Sequence, residues 1–310
     1  TSMAQPSTRP SQTIKRETAA SAEFNFRQPA LHSAVGKTLR SGAERKVLPM
    51  RNRVIVGCIG IPLILVVLFV LPKPLTPTLI AVLSAVGTYE AMHAIGMNHP
   101  RIALYTAVLA IIVPFWVYGG ESRVVALTVL LVYLLLVFVE GFVSNFRVKI
   151  DRVGGAFFFA LIISYCLSSV VRMGMLDDEM RTACVLLPIA LPFVVDIAAM
   201  LTGMFLGKHP LVPELSPKKT VEGAIGGLVG GVLTCVIYGL IFQKIAGVDA
   251  NFYFLAVYGI LGGVISQVGD LAFSYIKRTR KIKDFGTLLP GHGGVLDRFD
   301  SVIFCAPLVE

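Results

Sequence analysis

Residues 183–206 read ACVLLPIALPFVVDIAAMLTGMFL, an apolar run broken by one charge, at Asp196. A helix rises about 1.5 Å per residue, so a run of this length crosses the ~30 Å hydrocarbon core of a bilayer. Working outward, comparable runs lie near 54–71, 75–97, 102–118, 123–143, 153–171, 221–246 and 252–273, and another begins near Ser301 and runs to Glu310. Pro-Lys-Pro at 72–74 and Gly-Gly at 119–120 mark short turns between neighbouring runs. The pattern predicts an all-α integral membrane protein, a polytopic bundle of about nine transmembrane helices. Composition agrees. Of 310 residues, 55% are hydrophobic and 15% charged, whereas a soluble domain carries about 25% charge. This excludes an ordinary soluble domain, and the apolarity excludes disorder over most of the chain. The five cysteines are scattered, with no CxxC and no Cys/His cluster, so neither a disulfide framework nor a zinc site is expected.

Residues 1–53 stand apart. They hold ten basic and three acidic residues and no long apolar run, which reads as a basic, disordered cytosolic arm without a signal-peptide core. With that arm in the cytoplasm, 23 of the 28 Lys and Arg fall on the cytoplasmic side and five on the other. The positive-inside rule therefore sets the N-terminus in the cytoplasm. Beside so much membrane, the arm's charge suits anionic headgroups, and no nucleic-acid partner is expected. The membrane part divides into N-terminal transmembrane helices, 54–171, and a C-terminal region, 183–310, whose loops 207–220 and 277–300 face the cytoplasm. A multi-pass protein of the plasma membrane is the default location.

Chemistry-bearing residues concentrate in the C-terminal region. Asp196 lies well inside one span and Asp270 near the cytosolic end of another. A carboxylate in a membrane helix costs roughly 2.5–3.5 kcal/mol on insertion scales unless a cation, a partner or water meets it. Asp196 alone fits a helix–helix pair as well as a function. Gly262, Ser266, Asp270 and Ser274 recur every fourth residue and share one helical face. Gly223, Gly227 and Gly231 on the preceding span are expected to pack closely against that face, with Gly226 and Gly230 alongside. The loop that follows, KDFGTLLPGHGGVLDRFD at 283–300, has Gly291, Gly293 and Gly294 around His292, leaving backbone free to present N–H groups to an anion. Asp297 and Asp300, one turn apart, sit beside Arg298, a pattern suited to a magnesium–polyphosphate site. Upstream, Ser216-Pro-Lys-Lys-Thr220 opens a helix. Lys218 and Lys219 would neutralise phosphates, and Ser216 and Thr220 would donate hydroxyl hydrogen bonds. By itself that segment reads equally well as positive-inside charge, and no Walker A loop occurs.

Residues 274–300, SYIKRTRKIKDFGTLLPGHGGVLDRFD, resemble the signature of the phosphatidate cytidylyltransferases, or CDP-diacylglycerol synthases. The matching positions are Ser274, Lys277, Arg278, Lys283, Asp284, Gly286, Pro290, His292, Gly293, Gly294, Asp297, Arg298 and Asp300. The SPKKTVEG segment and the Asp196 helix also resemble the family. The resemblance implies a homodimer of about nine-helix chains. It also implies the reaction of CTP with phosphatidate to give CDP-diacylglycerol and pyrophosphate, dependent on Mg²⁺ with K⁺ accompanying it. On that basis Asp270 and Asp297 are assigned to metal, and Lys218, Lys219 and Arg298 to phosphates. His292 becomes a hydrogen-bond donor to phosphate, Lys277 and Arg278 steer the lipid headgroup, and Asp196 shapes a polar cavity. Two other readings use the same residues. A CTP-dependent lipid kinase would release CDP, and a secondary anion transporter would line an ion path with Asp196 and Asp270. The clustering of polar residues on one face favours chemistry at the membrane surface.

Overall fold

Apolar runs without breakers become helices, and the described part of the chain is built almost wholly from them. The computed structural model describes residues 74–310 except 146, 247–249, 287 and 289–292, and leaves aside the side chains of 178–180, 183, 245 and 246. The helices are α1 (Leu75–Ala94), α2 (Pro100–Tyr118), α3 (Arg123–Val143), α4 (Ile150–Leu167), α5 (Ser169–Gly174), α6 (Asp178–Leu206), α7 (Val221–Ala246), α8 (Phe252–Thr279) and α9 (Leu296–Val309). Seven helical stretches among the described residues are long and apolar enough to span a membrane, with α4 and α5 counting as one. The chain is thus a multi-pass helical membrane protein. The run expected at 54–71 lies outside the described residues. Ser164 and Ser168 each donate a hydroxyl hydrogen bond to the carbonyl four residues earlier, a local competitor of the helix ladder at the break between α4 and α5. Gly120 takes φ +95° in the tight turn between α2 and α3, a conformation that disfavours other residues.

Segment 207–220, expected as a loop, instead contains a two-stranded antiparallel hairpin, β1 (Pro210–Val212) and β2 (Ser216–Thr220), with Pro210 opposite Thr220 and Val212 opposite Ser216. Its backbone groups find partners in each other at the rim of the bundle.

Helices α1, α2 and α4 pack together, with α3 laid against α2; α6, α7 and α8 form a second group. Helix α9 touches both, contacting α8 and α6 on one side and α4 and α1 on the other. Its Leu296, Val302, Ile303 and Ala306 are buried in the same apolar cluster as Met92, Phe159, Ile163 and Phe273. Helix α3 leaves Val124, Leu127 and Phe142 exposed, as a lipid-facing helix should.

The glycine pairing differs from the one expected. Gly227 and Gly231 do face α8, but they meet the stripe of Gly259 and Gln267, not that of Gly262 and Asp270. Gly223, Gly226 and Gly230 turn to α6, where Ala198, Ala199 and Thr202 receive them. Gly262 faces Leu191 of α6 and Leu308 of α9. Glycines spaced three and four apart cover two faces of α7, so that helix is wedged between two neighbours. A Cβ on Gly259 would lie 2.5 Å from the backbone Cα of Val232, which cannot swing aside. Gly259→Ala is expected to destabilise the protein by about 1–3 kcal/mol. Gly141→Ala on α3, where a Cβ meets nothing within 4 Å, should be neutral or stabilising by up to roughly 1 kcal/mol. Thermal unfolding of the two variants in detergent tests the contrast.

Candidate active site

Successive side chains of a strand point to opposite faces, and on β2 this separates two lysines that adjoin in sequence. Lys218 is exposed, whereas Lys219 turns inward and brings Nζ to 2.5 Å from Asp270 Oδ2 on α8. Thr220 Oγ1 accepts the Gly223 N–H at 3.1 Å, acting as a cap for α7. Glu222 accepts the N–H groups of Lys208 and His209 at 3.1 and 3.2 Å and meets His209 Nδ1 at 2.6 Å, fastening the hairpin to the start of α7. Arg278 at the end of α8 donates from Nε to the Leu215 carbonyl at 3.2 Å. Hairpin and α8 are therefore held in register by two polar links, one at each of Lys219 and Arg278.

The second half of the site joins α8 to α9. Lys277 Nζ lies 2.9 Å from Asp297 Oδ1 and 4.0 Å from Asp300 Oδ2, and 5.4 Å from the centre of the Phe285 ring. Asp297 Oδ2 accepts two backbone N–H groups, from Phe285 at 2.8 Å and Gly294 at 3.0 Å. The N–H of Gly294, expected to serve an anion, is thus already engaged by a carboxylate. Ser274 Oγ stands 3.5 Å from Asp270 Oδ1, at the outer limit of a hydrogen bond. Asp196 and Asp300 lie within electrostatic reach of Asp270. Asp196 opens to the outside of the described chain, and Asp300 is buried.

The remaining sequence candidates sit around this core. Ser216 is half-buried in β2, and Lys283, Asp284 and Arg298 are exposed. Gly293 has φ +86°, and a Cβ there would approach Asp297 Oδ2. Pro290 and His292 lie outside the described residues. One residue escaped the sequence reading altogether. Glu90 on α1 is buried and accepts the N–H groups of Val295 and Leu296 at 3.0 and 2.8 Å. The available signal was an acid in the apolar stretch GTYEAMHA at 87–94.

The donor set fits a hard divalent cation. Asp196, Asp270, Asp297 and Asp300 gather around the ammonium groups of Lys219 and Lys277, leaving carboxylates in excess. Ser266, one turn before Asp270, has a buried hydroxyl without a hydrogen-bond partner among the described residues. No three His, Cys, Asp or Glu of the described residues form a ready-made cage. Mg²⁺ generally takes only one or two protein carboxylates and completes its shell with water and phosphate oxygens. An apolar cleft of about 550 Å³ between α2, α3 and α4, beside Trp116 and Phe157, holds none of these carboxylates and suits hydrocarbon, not phosphate chemistry.

Comparison with known proteins gives the chain relatives. Residues 51–310 match the Cytidylyltransferase family. The chain is similar to the phosphatidate cytidylyltransferase of Bacillus subtilis, at 34% identity over 163 residues, 51% of this chain and 57% of that protein. The phosphatidate cytidylyltransferase of Staphylococcus aureus is 38% identical over 154 residues, 47% of this chain and 57% of that one. The enzyme of that name from Rickettsia bellii is 39% identical over 117 residues, 37% and 51% of the two chains. The matched stretch thus spans about half the length of these curated relatives.

The side chains of Lys277, Asp297 and Asp300 are 13%, 5% and 12% exposed, so the lysine answers two buried carboxylates. Replacing it with an isosteric apolar residue leaves both without their cation. Lys277→Met should destabilise the fold by about 3–5 kcal/mol, read as a lower thermal midpoint in detergent.

Proposed function

The chain belongs to the cytidylyltransferase family, and from that premise we propose that it is a phosphatidate cytidylyltransferase. It would convert CTP and phosphatidate to CDP-diacylglycerol and pyrophosphate, an early step of phospholipid synthesis. The observation that carries this reading is the meeting of β2, α8 and α9 at one end of the bundle, where Lys219–Asp270 and Lys277–Asp297 stand side by side on α8. Lysines and carboxylates at the rim of a membrane bundle are the materials for handling phosphates attached to a lipid.

The chemistry asks little of a general base. A phosphate monoester has its second pKa near ~6 and is largely a dianion at neutral pH. Its oxygen attacks the α-phosphorus of CTP, the bond to the bridging oxygen breaks, and pyrophosphate leaves with the electron pair. The difficulty is that two polyanions must approach while charge grows on the leaving group, so catalysis rests on positioning and preorganised positive charge. Lys219 and Lys277 are half-buried and held in place by their aspartates, so their ammonium groups need little reorganisation to receive phosphate oxygens. Lys218 and Arg298, both exposed, extend the positive field outward. Ser216 and His292 are assigned as hydrogen-bond donors to phosphate, and Arg278 to the lipid headgroup. Thr220 acts chiefly by capping α7 and so fixing the direction in which β2 enters. Asp270 and Asp297 would hold Mg²⁺, with K⁺ accompanying it. Bound there, the cation would draw charge from the triphosphate and orient it.

The site would face the cytoplasm, where CTP is made, in a protein of the plasma membrane working as a homodimer. The charge asymmetry of the sequence supports that orientation.

Purified chain in detergent, given CTP, phosphatidate and Mg²⁺, should yield CDP-diacylglycerol and pyrophosphate one-to-one, with both abolished by EDTA. Release of CDP without pyrophosphate would instead identify a lipid kinase. Asp270→Asn and Lys219→Met should each lower kcat by about 10²–10³ while the protein stays folded. Unchanged turnover in Asp270→Asn would remove that aspartate from the site.

A further inference from the structure

We propose that Glu90 is a positioning residue for the active site, a latch by which the N-terminal helices hold the Asp297 loop in its working shape. The proposal rests on the reading of Asp297 as part of a phosphate- and metal-handling centre. Glu90 is 5% exposed, and it reaches from α1 to the first turn of α9 across 205 residues of sequence. Its Oε1 accepts the Val295 N–H at 3.0 Å and its Oε2 the Leu296 N–H at 2.8 Å. Those N–H groups, of the N-cap residue Val295 and of the first helical residue Leu296, belong to the orphan donors at the start of a helix. An N-cap side chain serves the donors one or two residues further on, so these two need an acceptor from elsewhere, and a carboxylate from another helix supplies it. Its negative charge also complements the positive end of the α9 dipole. Among the described residues no basic side chain pairs with it.

The latch bears on Asp297 because the two carboxylates divide one short stretch of backbone between them. Asp297 takes the N–H groups of Phe285 and Gly294, and Glu90 takes the next two, Val295 and Leu296. Asp297 follows Leu296 directly, so its side chain is aimed by the same turn that Glu90 anchors. Gly286 and Gly294 line the other side of the Glu90 carboxylate, and a Cβ on either would collide with its oxygens. The two glycines are needed here for close approach to an acid, a role distinct from presenting N–H groups to an anion. Glu90 touches neither substrate nor Asp297 in this account, and acts only through the loop.

Glu90→Gln keeps the shape but offers one acceptor oxygen and turns an NH₂ toward a backbone donor. Its kcat is expected to fall about tenfold to a hundredfold, with KM for CTP changed much less. Hydrogen–deuterium exchange of the amides at 285 and 294–297 should quicken, while amides in α3 and α7 keep their protection. Faster exchange with unchanged kcat would overturn the positioning role and leave a structural cap. Unchanged exchange would overturn the latch itself. If the unmodified chain makes no CDP-lipid, the proposed activity fails, and exchange in Glu90→Gln alone then decides whether the latch exists. Should Glu90→Gln not fold, Gly286→Ala perturbs the same contact from the loop side and is read by the same two measurements.

Discussion

Ionised oxygen inside a bundle of membrane helices costs several kcal/mol unless cations or N–H donors surround it. Among the described residues, four buried or half-buried acids are answered across elements distant in sequence. Asp270 on α8 meets Lys219 on β2, and Asp297 on α9 meets Lys277 on α8 together with two backbone donors. Glu90 on α1 meets the start of α9. Glu140 on α3 meets Arg101 of α2 and His99 just before that helix, each at 3.4 Å. The same links that neutralise charge also specify which helix ends lie together. Apolar packing between lipid-facing helices gives little directional preference, so these polar ties supply specificity that hydrophobic contact cannot.

Helix α9 is where these ties and the apolar packing coincide. It carries Asp297 and Asp300 on its first turns and buries Val302, Ile303 and Ala306 a turn or two later. Because it contacts both helix groups, the carboxylates at its start are tied to both. The glycine-lined seams of α7 work in the same direction, since close backbone approach leaves α6, α7 and α8 little room to slide. A site that relies on preorganised charge needs such stiffness more than it needs any single reactive group.

Hydropathy made the helices legible, and for α3 and α7 the expected and observed bounds coincide. It stopped short on α8, expected to end near residue 273 and continuing to Thr279. Hydropathy marks where the bilayer ends, and a helix carries on beyond it when Lys and Arg can reach water. The hairpin was hidden because Pro-Leu-Val and Ser-Pro-Lys-Lys-Thr show no alternation of apolar and polar residues. It exists through pairing with each other and anchoring by Glu222 and Arg278. The candidate residues of α8 and α9 were legible as a spaced motif, whereas the partners they meet in the fold were not. Nothing local to Glu90 indicates that its oxygens face a loop two hundred residues away. The glycines of α7 announced close packing but not its direction, because three- and four-residue spacings occur together on one helix.

The hairpin sorts two neighbouring lysines by where β2 meets α7. Lys218 and Lys219 are chemically identical, yet one is exposed and the other reaches Asp270. Thr220 caps α7 and Glu222 ties the hairpin to the same helix start, so Lys219 is pinned from the helix side. A residue inserted between Leu215 and Lys218 would fall toward the turn and leave Lys219 at Asp270, whereas one inserted between Lys219 and Thr220 would carry the ammonium group away from its partner.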